Sequence, residues 1–404
     1  MNIVYLNHYA GSPEMGMEFR PYYLSREWVK MGHNVRIIGG DFSHLRNKNP
    51  IVKNDYDEEI VDGIHYTWIK TGQYQGNGVD RAKTMFRFVF KLWKDAKKIA
   101  NKWKPDVVIA SSTYPLDTYA AQRIAKYSKA KYIHEVHDMW PATLYEIGGM
   151  SKKHPFVLLM QIAENSAYKN CDKLVALLPN SKQYMVNHGL SPEKFINIQN
   201  GVVFEEFESK FELPEEHSKI FNQLKGKFIV GYFGGHAISN ALDLILDTAK
   251  NIKDEDTKFV LVGDGVEKKR LIKRAKKEKI DNIIFLPPVS KKQVPTLLDK
   301  FDCVLITAEP SPLYRFGLCL NKMYDTMAAG KPVVCVINSP KTLIEEYECG
   351  YMANPTDIDD IIKKINAIKS MSTIERNRLG ENGKNAIIKN FTYEKLAEKF
   401  LNFI

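Results

Sequence analysis

The 404-residue chain lacks the features that mark several large classes of protein. Its five cysteines include no C-x-x-C pair and are odd in number, so neither a zinc cluster nor a disulfide framework is indicated. No apolar run approaches the roughly 18 residues of a membrane-spanning helix. The opening residues, MNIVYLNHYA, lack the basic and apolar regions of a secretory signal. We therefore expect a cytoplasmic protein with reduced thiols.

Positive charge is in surplus. Lysine and arginine number 58 against 48 aspartates and glutamates, which gives a net charge of +10. Such a surplus favours phosphates, nucleic acid or an anionic membrane surface as partners. A bias of the genome toward lysine, asparagine and isoleucine codons explains it equally well. Because no nucleic-acid recognition motif accompanies the charge, we expect no nucleic-acid partner.

Short apolar runs alternate with longer amphipathic segments along the chain. NIVYLN is followed by a predicted helix over residues 17–31 and then by NVRIIGG. The same alternation of apolar and amphipathic segments begins again after residue 225 with KFIVGYFGG. A charged stretch that contains Pro214 separates the two halves. Strands that alternate with helices predict parallel sheets covered on both faces. We predict an α/β protein of two doubly wound domains, residues 1–200 and 226–390, joined by a hinge over 201–225.

The stretch GYFGGHAIS follows a predicted strand and contains Gly234 and Gly235. Glycines let the backbone approach an anion closely, and the following helix offers free N–H groups. An ordinary strand-to-helix turn can have the same sequence pattern, which is the alternative interpretation. Ligands of open α/β sheets bind beyond the carboxyl ends of the strands, so we predict a phosphate site at this loop.

A second candidate segment is NKMYDTMAAGKPVV, in which Asn321, Lys322 and Asp325 share one helix face. Free N–H groups at the helix start, together with an ammonium, suit a diphosphate. A carboxylate one turn further along can accept both hydroxyls of a ribose. The alternative is a surface helix with scattered charges.

This segment resembles the donor-binding segment of glycosyltransferase family 4, and in particular the branch that builds bacterial surface polysaccharides. Along the same chain, GYFGG resembles that family's phosphate loop, NIIFLPPV its nucleobase-edging segment and EVHDMWP a segment of its first domain. The resemblance implies the GT-B fold, in which two Rossmann-like domains face each other across a cleft. It also implies that the terminal helix, residues 391–404, packs back onto the first domain.

The resemblance implies roles for further residues. His137 occupies the place of the family's cleft histidine, which contacts the transferred sugar, and Asp138 is the second polar candidate there. Gly11 corresponds to a glycine loop near the donor phosphates, and Val289 borders the nucleobase. A loop histidine without a catalytic role is the alternative for His137. His134 lies three positions before it and points to the opposite face of an extended strand, so we expect no metal site.

The chain departs from the family pattern at two places. The family commonly has two glutamates eight residues apart; the second is here Asp325, and the first falls at Gly317, which has no side chain to bind a sugar hydroxyl. The identity of the donor sugar therefore stays open. The usual basic pair near the phosphate loop is also missing, which leaves Arg315 and Lys322 to balance a diphosphate.

Residues 81–104 are predicted to form a basic helix that carries five aromatic side chains: Phe86, Phe88, Phe90, Trp93 and Trp103. One alternative is that these aromatics only pack on the sheet of the first domain. Bulky aromatics between lysines and arginines also suit a helix at an anionic membrane surface. A polyprenyl-diphosphate acceptor would be found at such a surface.

Together these features predict a metal-independent glycosyltransferase that needs no cofactor. Its donor would be a UDP-N-acetylamino sugar and its acceptor a membrane-linked polyprenyl-diphosphate glycan, as in O-antigen or capsule synthesis. Retention of the anomeric configuration is implied by the resemblance only. The protein would lie peripherally on the inner face of the cytoplasmic membrane. Two alternatives remain open: a UDP-sugar 2-epimerase of the same fold, and a non-catalytic nucleotide-sugar-binding protein.

Overall fold

The computed structural model describes residues 1–16, 19–76 and 78–404. Residues 17 and 18, the first two of the predicted helix over 17–31, lie outside the described residues. The chain divides into two compact units. Unit 1 comprises Met1–Gln199 together with Tyr393–Ile404, and unit 2 comprises Asn200–Thr392.

Unit 1 is built on an eight-stranded sheet. Its strands are β1 (Asn2–Leu6), β2 (Asn34–Gly40), β3 (Asp57–Val61), β4 (Ile64–Ile69), β5 (Val107–Ala110), β6 (Lys131–Val136), β7 (Lys173–Ala176) and β8 (Phe195–Asn197). Its helices, apart from the last one of the chain, are α1 (Phe19–Lys30), α2 (Val79–Lys94), α3 (Ala96–Trp103), α4 (Thr118–Ser128), α5 (Ala142–Glu146), α6 (Pro155–Asn170) and α7 (Lys182–Asn187).

The strand order in unit 1 is β3-β4-β2-β1-β5-β6-β7-β8. All neighbouring strands run parallel except β3 and β4, which form an antiparallel edge. The chain moves outward in one direction from β1 and then returns to its other side with β5. Ligands of such sheets bind at this reversal point, beyond the carboxyl ends of the strands.

Unit 2 contains a six-stranded, fully parallel sheet. Its strands are β9 (Phe228–Phe233), β10 (Thr257–Val262), β11 (Ile283–Leu286), β12 (Cys303–Thr307), β13 (Val333–Val336) and β14 (Gly350–Met352). Its helices are α8 (Glu205–Glu208), α9 (Glu215–Gln223), α10 (Asp243–Asn251), α11 (Lys268–Lys277), α12 (Val294–Leu298), α13 (Asn321–Ala328), α14 (Leu343–Glu346), α15 (Ile358–Ser370) and α16 (Thr373–Asn390). The order β11-β10-β9-β12-β13-β14 is that of a Rossmann fold, with the reversal between β9 and β12.

Strand β9 shows why these strands are continuous apolar runs. All six of its residues are buried, and alternate side chains enter two different cores. Ile229 and Phe233 join one core, while Phe228, Val230 and Tyr232 join the other. Both faces of the sheet are therefore covered by helices, as the alternating pattern of the sequence predicts. The predicted fold class, two doubly wound parallel-sheet domains, is confirmed.

The basic segment 81–104 is not one helix, and this expectation was wrong. Helix α2 ends at Lys94 and α3 begins at Ala96, with Asp95 between them at φ −90° and ψ 9°. The Asp95 carboxylate accepts a hydrogen bond of 2.8 Å from Tyr56 Oη instead of capping α3. Aspartate is a poor residue for a helix interior, because its short side chain competes for nearby polar groups.

The segment expected to form the hinge, residues 201–225, holds α8 and α9. Phe221 and Leu224 are buried in a core of unit 2, together with Val202. This segment is therefore packed as part of unit 2.

The last helix, α17 (Tyr393–Phe403), belongs to unit 1. It packs against α1, where Trp28 donates its indole N–H to the Ala397 carbonyl at 3.2 Å. The Trp28 and Phe400 rings lie edge to face with their centroids 5.1 Å apart. Two aromatic side chains thus fasten the end of the chain to its first helix.

Candidate active site

The glycine loop after β9 lies at the reversal point of the unit 2 sheet. Gly234 has φ 125°, a left-handed value that favours glycine, and its N–H donates to the Val262 carbonyl at 3.0 Å. The Gly235 carbonyl accepts hydrogen bonds of 2.8 Å from both Tyr232 Oη and Asn240 Nδ2. These bonds hold the loop in an open turn close to the start of α13.

Lys322 in the first turn of α13 directs its ammonium at this loop. A Cβ on Gly234 would lie 3.7 Å from Lys322 Nζ. The ammonium donates to Tyr232 Oη at 3.2 Å and to Asn240 Oδ1 at 3.1 Å, and it lies 4.6 Å from the centroid of the Tyr232 ring. All of these contacts are with neutral groups.

Burial lowers the pKa of Lys322 to about 8, because a charged ammonium is penalised when it loses water. In the described part of the chain, no carboxylate forms an ion pair with it. A partly buried cation with only neutral partners, beside a glycine loop, is an arrangement that can accept an anion.

Asp325 lies one turn further along α13 and is already paired. The Lys291 ammonium lies 2.6 Å from Asp325 Oδ1 and 2.8 Å from Oδ2. Lys291 comes from the 3₁₀ turn Lys291–Gln293 that follows the NIIFLPPV stretch. The sequence pattern predicted the carboxylate but not its partner.

The other predicted donor-binding residues lie around these two groups. Asn321 is exposed at the start of α13 and accepts a hydrogen bond of 3.0 Å from Asn200 Nδ2. Val289 is partly buried against a core of unit 2. Arg315 is exposed, donates to the Pro312 carbonyl at 2.6 Å and stacks on Phe316. The part that these three residues play in binding stays a prediction.

Gly317 has φ 97° and ψ 179° at the end of the 3₁₀ turn Pro312–Phe316. Residues with a Cβ rarely adopt this left-handed conformation. A glutamate at this position would strain the backbone. The conformation of the loop therefore accounts for glycine at this position, where the family commonly has glutamate.

Three residues of this region were missed by the sequence reasoning. Tyr232 and Asn240 hold both the glycine loop and Lys322 in place. His236 is fully buried beside Phe285, and neither of its ring nitrogens has a hydrogen-bond partner among the described residues. Burial lowers the pKa of His236 to about 4, so the ring is neutral at pH 7. The available signal was their position around the glycine loop: Tyr232 lies near the end of β9, and His236 and Asn240 follow the two glycines.

In unit 1, His137 directly follows β6 and is held by Ser111, which follows β5, and by Glu135, which lies within β6. Its Nε2 lies 2.8 Å from Ser111 Oγ and 3.1 Å from Glu135 Oε2. Glu135 is fully buried, and it is also hydrogen-bonded to Tyr5 Oη. The imidazole is therefore oriented by a buried carboxylate.

A buried arginine keeps Glu135 charged. Burial works against the ionisation of Glu135, but Arg20 and the hydrogen bond from His137 hold its pKa well below the usual range. Arg20 also donates to the Gln199 carbonyl at 2.6 Å and to the Ile198 carbonyl at 2.9 Å. This network thus joins α1 to β6 and to the residues after β8.

The remaining predicted residues of unit 1 have different surroundings. Asp138 is exposed, next to His137. Gly11 is buried, and its carbonyl accepts a hydrogen bond of 2.8 Å from Tyr66 Oη. A polar cavity beside His137 is lined in part by His134 and Glu164, and burial raises the pKa of Glu164 to about 7. Glu164 was not singled out from the sequence, because it lies inside an ordinary helical pattern.

No group of three or more histidine, cysteine, aspartate or glutamate side chains in the described residues is placed to hold a metal ion. The helices of the described residues are all too short or too polar to cross a membrane.

Most of the chain matches two family models. Residues 15–206 match the model described as Glycosyltransferase Family 4, and residues 214–386 match the one described as Glycosyl transferases group 1. The first match covers most of unit 1 and the second most of unit 2.

Three curated relatives are similar to the chain. The probable glycosyltransferase WbjE of Pseudomonas aeruginosa is 23% identical over 77% of this chain and 78% of its own length. The putative colanic acid biosynthesis glycosyl transferase WcaI of Escherichia coli is 25% identical over 51% of each chain. The poly(ribitol-phosphate) alpha-N-acetylglucosaminyltransferase of Staphylococcus aureus is 26% identical over 43% of this chain and 34% of its own length.

Solved structures share the fold along the whole chain. Sucrose-phosphate synthase from Thermosynechococcus elongatus has a TM-score of 0.74 at 14% identity, covering 100% of this chain and 98% of that one. Anabaena HepE, solved in complex with UDP and glucose, has a TM-score of 0.67 at 16% identity with the same coverage. Sequence matches in both units and a shared two-domain fold thus agree, and the chain belongs to glycosyltransferase family 4 with the GT-B fold.

Proposed function

We propose that this glycosyltransferase uses a UDP-sugar as donor and that unit 2 binds the nucleoside diphosphate. The observation that carries the proposal is the Lys322 ammonium, which is partly buried, has only neutral partners and lies beside Gly234. A diphosphate would supply the missing negative charge. HepE, whose solved complex contains UDP, has the same fold and is the support for uridine.

Lys322 and the N-terminus of α13 also suit the chemistry of the leaving group. When the glycosidic bond to the donor breaks, negative charge builds up on the diphosphate oxygens. An ammonium and free backbone N–H groups can stabilise that charge without rearranging. We therefore propose that the reaction needs no divalent metal ion, a point that binding and activity in EDTA would test.

The donor sugar, the acceptor and the stereochemistry form the finer part of the proposal. We propose transfer of an N-acetylamino sugar, with retention at the anomeric carbon, to a polyprenyl-diphosphate glycan in O-antigen or capsule-type synthesis. The names of the colanic acid and poly(ribitol-phosphate) relatives support a surface-polysaccharide acceptor and, in the second case, an N-acetylamino sugar. Unit 1 would bind the acceptor, and His137 and Asp138 stay its predicted catalytic residues.

The surface of α2 supports a membrane-bound acceptor at the inner face of the cytoplasmic membrane. Phe86, Phe90 and Trp93 are 42%, 61% and 42% exposed, and Lys83 and Lys94 are exposed on the same helix. Aromatic side chains among lysines are typical of a helix that lies at an anionic lipid surface.

The test of the donor class is calorimetric titration with UDP, GDP, ADP and dTDP, each with and without EDTA. We expect UDP to bind in the presence of EDTA and Lys322→Met to lose at least tenfold in affinity, as removal of a charged partner implies. Lys269→Met, which removes an exposed charge from α11, is the matched control and should bind UDP like the wild type. Failure of all four nucleotides to bind would refute the proposal.

A second measurement separates a transferase from a 2-epimerase. The wild-type protein is incubated with the UDP-sugar with and without a lipid-linked acceptor, and the release of UDP is followed. A transferase releases UDP in proportion to the acceptor supplied. An epimerase would convert the sugar without acceptor and would release UDP in neither case.

A further inference from the structure

The ion pair between Lys291 and Asp325 occupies the position predicted for ribose binding. One ammonium contacts both carboxylate oxygens, at 2.6 Å and 2.8 Å. The Lys291 side chain is 42% exposed, whereas that of Asp325 is 9% exposed. Asp325 is therefore the buried partner of the pair, and Lys291 is the partner that lies at the surface.

Both partners are held by well-defined backbone. The turn that carries Lys291 is closed by Ser290 and Gln293: Gln293 Oε1 accepts from Ser290 N at 3.0 Å and from Ser290 Oγ at 2.9 Å. Gln293 Nε2 also donates to the Glu212 carbonyl at 2.7 Å. Asp325 lies on α13, whose neighbouring residues Met323 and Tyr324 are buried in the core.

The pair leaves hydrogen-bonding capacity on both partners. An ammonium has three N–H donors, and each carboxylate oxygen has about two lone pairs. Contact with both oxygens leaves Lys291 at least one N–H and leaves each Asp325 oxygen a further lone pair. A ribose offers two adjacent hydroxyls, each of which can donate and accept. The exposed edge of the pair matches that requirement.

The positive charge of Lys291 also serves an anionic ligand. A lone carboxylate would repel the diphosphate of a bound nucleotide, because the two negative groups would lie in one site. The positive charge of Lys291 compensates the negative charge of Asp325, and the carboxylate oxygens stay available as hydrogen-bond acceptors. An ion pair with an exposed lysine adds little to the stability of a fold, so stability alone does not account for this one.

We propose that Lys291 is a specificity-determining residue that reads the ribose hydroxyls together with Asp325. This inference rests on the proposed function, because it requires that unit 2 binds a nucleoside diphosphate. In the bound state, Asp325 accepts hydrogen bonds from the ribose hydroxyls, and Lys291 keeps the carboxylate in place and donates to a ribose oxygen.

The experiment compares UDP with 2′-deoxy-UDP by calorimetric titration. We expect the wild-type protein to bind UDP about tenfold or more tightly than the deoxy nucleotide, as loss of a hydrogen bond to a charged group implies. Lys291→Met should bind UDP about tenfold more weakly and should discriminate between the two nucleotides by a factor of about two or less. The discrimination ratio is the decisive readout, because a purely structural defect would weaken both ligands equally.

Lys292→Met is the matched control. Lys292 is the next residue of the same turn, is exposed and lies over the Phe211 ring. This variant should keep both the affinity and the ratio of the wild type. Asp325→Asn, which has nearly the same shape as the wild-type residue, provides a second variant and should also lose discrimination.

The outcomes separate this inference from the donor proposal. If none of the four nucleoside diphosphates binds to the wild type, the proposed function fails and this inference fails with it. If UDP binds to the wild type and Lys291→Met leaves the affinity and the ratio unchanged, only this inference is refuted. Tighter binding by Lys291→Met would also refute it, because Lys291 would then obstruct the ribose.

Discussion

The guanidinium of Arg20 lies 3.0 Å from Glu135 Oε1 in unit 1, and both side chains are buried. The same carboxylate orients His137 through the other oxygen, Oε2. The orientation of the predicted catalytic histidine thus depends on a buried charge pair, one member of which, Arg20, belongs to the first helix.

Replacement of Arg20 by methionine should destabilise the protein strongly. The change leaves the Glu135 carboxylate buried without its main counter-charge, which typically costs about 3–5 kcal/mol. Urea unfolding at pH 7 followed by circular dichroism measures this loss. The double variant Arg20→Met/Glu135→Gln removes both charges and should recover a large part of it. A double variant no more stable than the single one would show that Arg20 acts through its carbonyl contacts instead.

The affinity for UDP should fall as the pH rises through about 8. Burial lowers the pKa of Lys322 to about 8, so the free protein loses this positive charge in that range. The diphosphate is fully ionised above pH ~7, so it contributes no opposing change. Calorimetry between pH 7 and pH 9.5 should show weaker binding at the alkaline end for the wild type.

Two variants of Lys322 complete that test. Lys322→Met should bind weakly with little dependence on pH, whereas Lys322→Arg keeps its charge and should lose less affinity at pH 9.5. An equal loss of affinity in all three proteins would place the titrating group elsewhere.

His137→Ala should lower turnover far more than the affinity for the donor. If the imidazole stabilises charge at the reacting sugar, its loss should reduce kcat by about a hundredfold or more. The rate of UDP release and the Kd for UDP are measured on the same preparation. His154→Ala, at an exposed histidine before α6, is the control and should retain wild-type rates. Normal turnover in His137→Ala would remove this residue from the catalytic set.

Replacement of Phe86, Phe90 and Trp93 by serine should weaken binding to anionic vesicles by about tenfold or more, because three exposed apolar side chains would no longer enter the lipid. Phe88 is left in place because it is fully buried. Sedimentation with phosphatidylglycerol vesicles measures the binding.

Serine at the exposed Val266 and Ile374 of unit 2 provides the control for vesicle binding and should have little effect. Undiminished binding of the triple variant would place the membrane-facing surface elsewhere.

The fold was predictable because buried parallel strands require continuous apolar runs, and these runs recur in both halves of the sequence. The division of segment 81–104 was not predictable in the same way. At the break, Asp95 accepts a hydrogen bond from Tyr56, a contact between residues far apart in sequence. Periodicity shows which face of a helix is apolar but carries no information on such a contact.

The candidate site was predictable only in part for the same reason. The spacing of Lys322 and Asp325 placed both on one helix face, and both contribute to the site region. The partners of these residues come from other loops: Tyr232 and Asn240 for Lys322, and Lys291 for Asp325. Local spacing does not identify a partner that the sheet topology brings into contact.

The left-handed backbone at Gly317 bears on any attempt to engineer the donor preference of this enzyme. Introducing a glutamate there would place a side chain on a conformation with φ 97°, which typically costs about 1–3 kcal/mol of strain. Part of the binding energy of a new sugar contact would be consumed by that distortion. A redesign of the donor preference therefore has to change the backbone of the turn Pro312–Phe316 together with the residue at position 317.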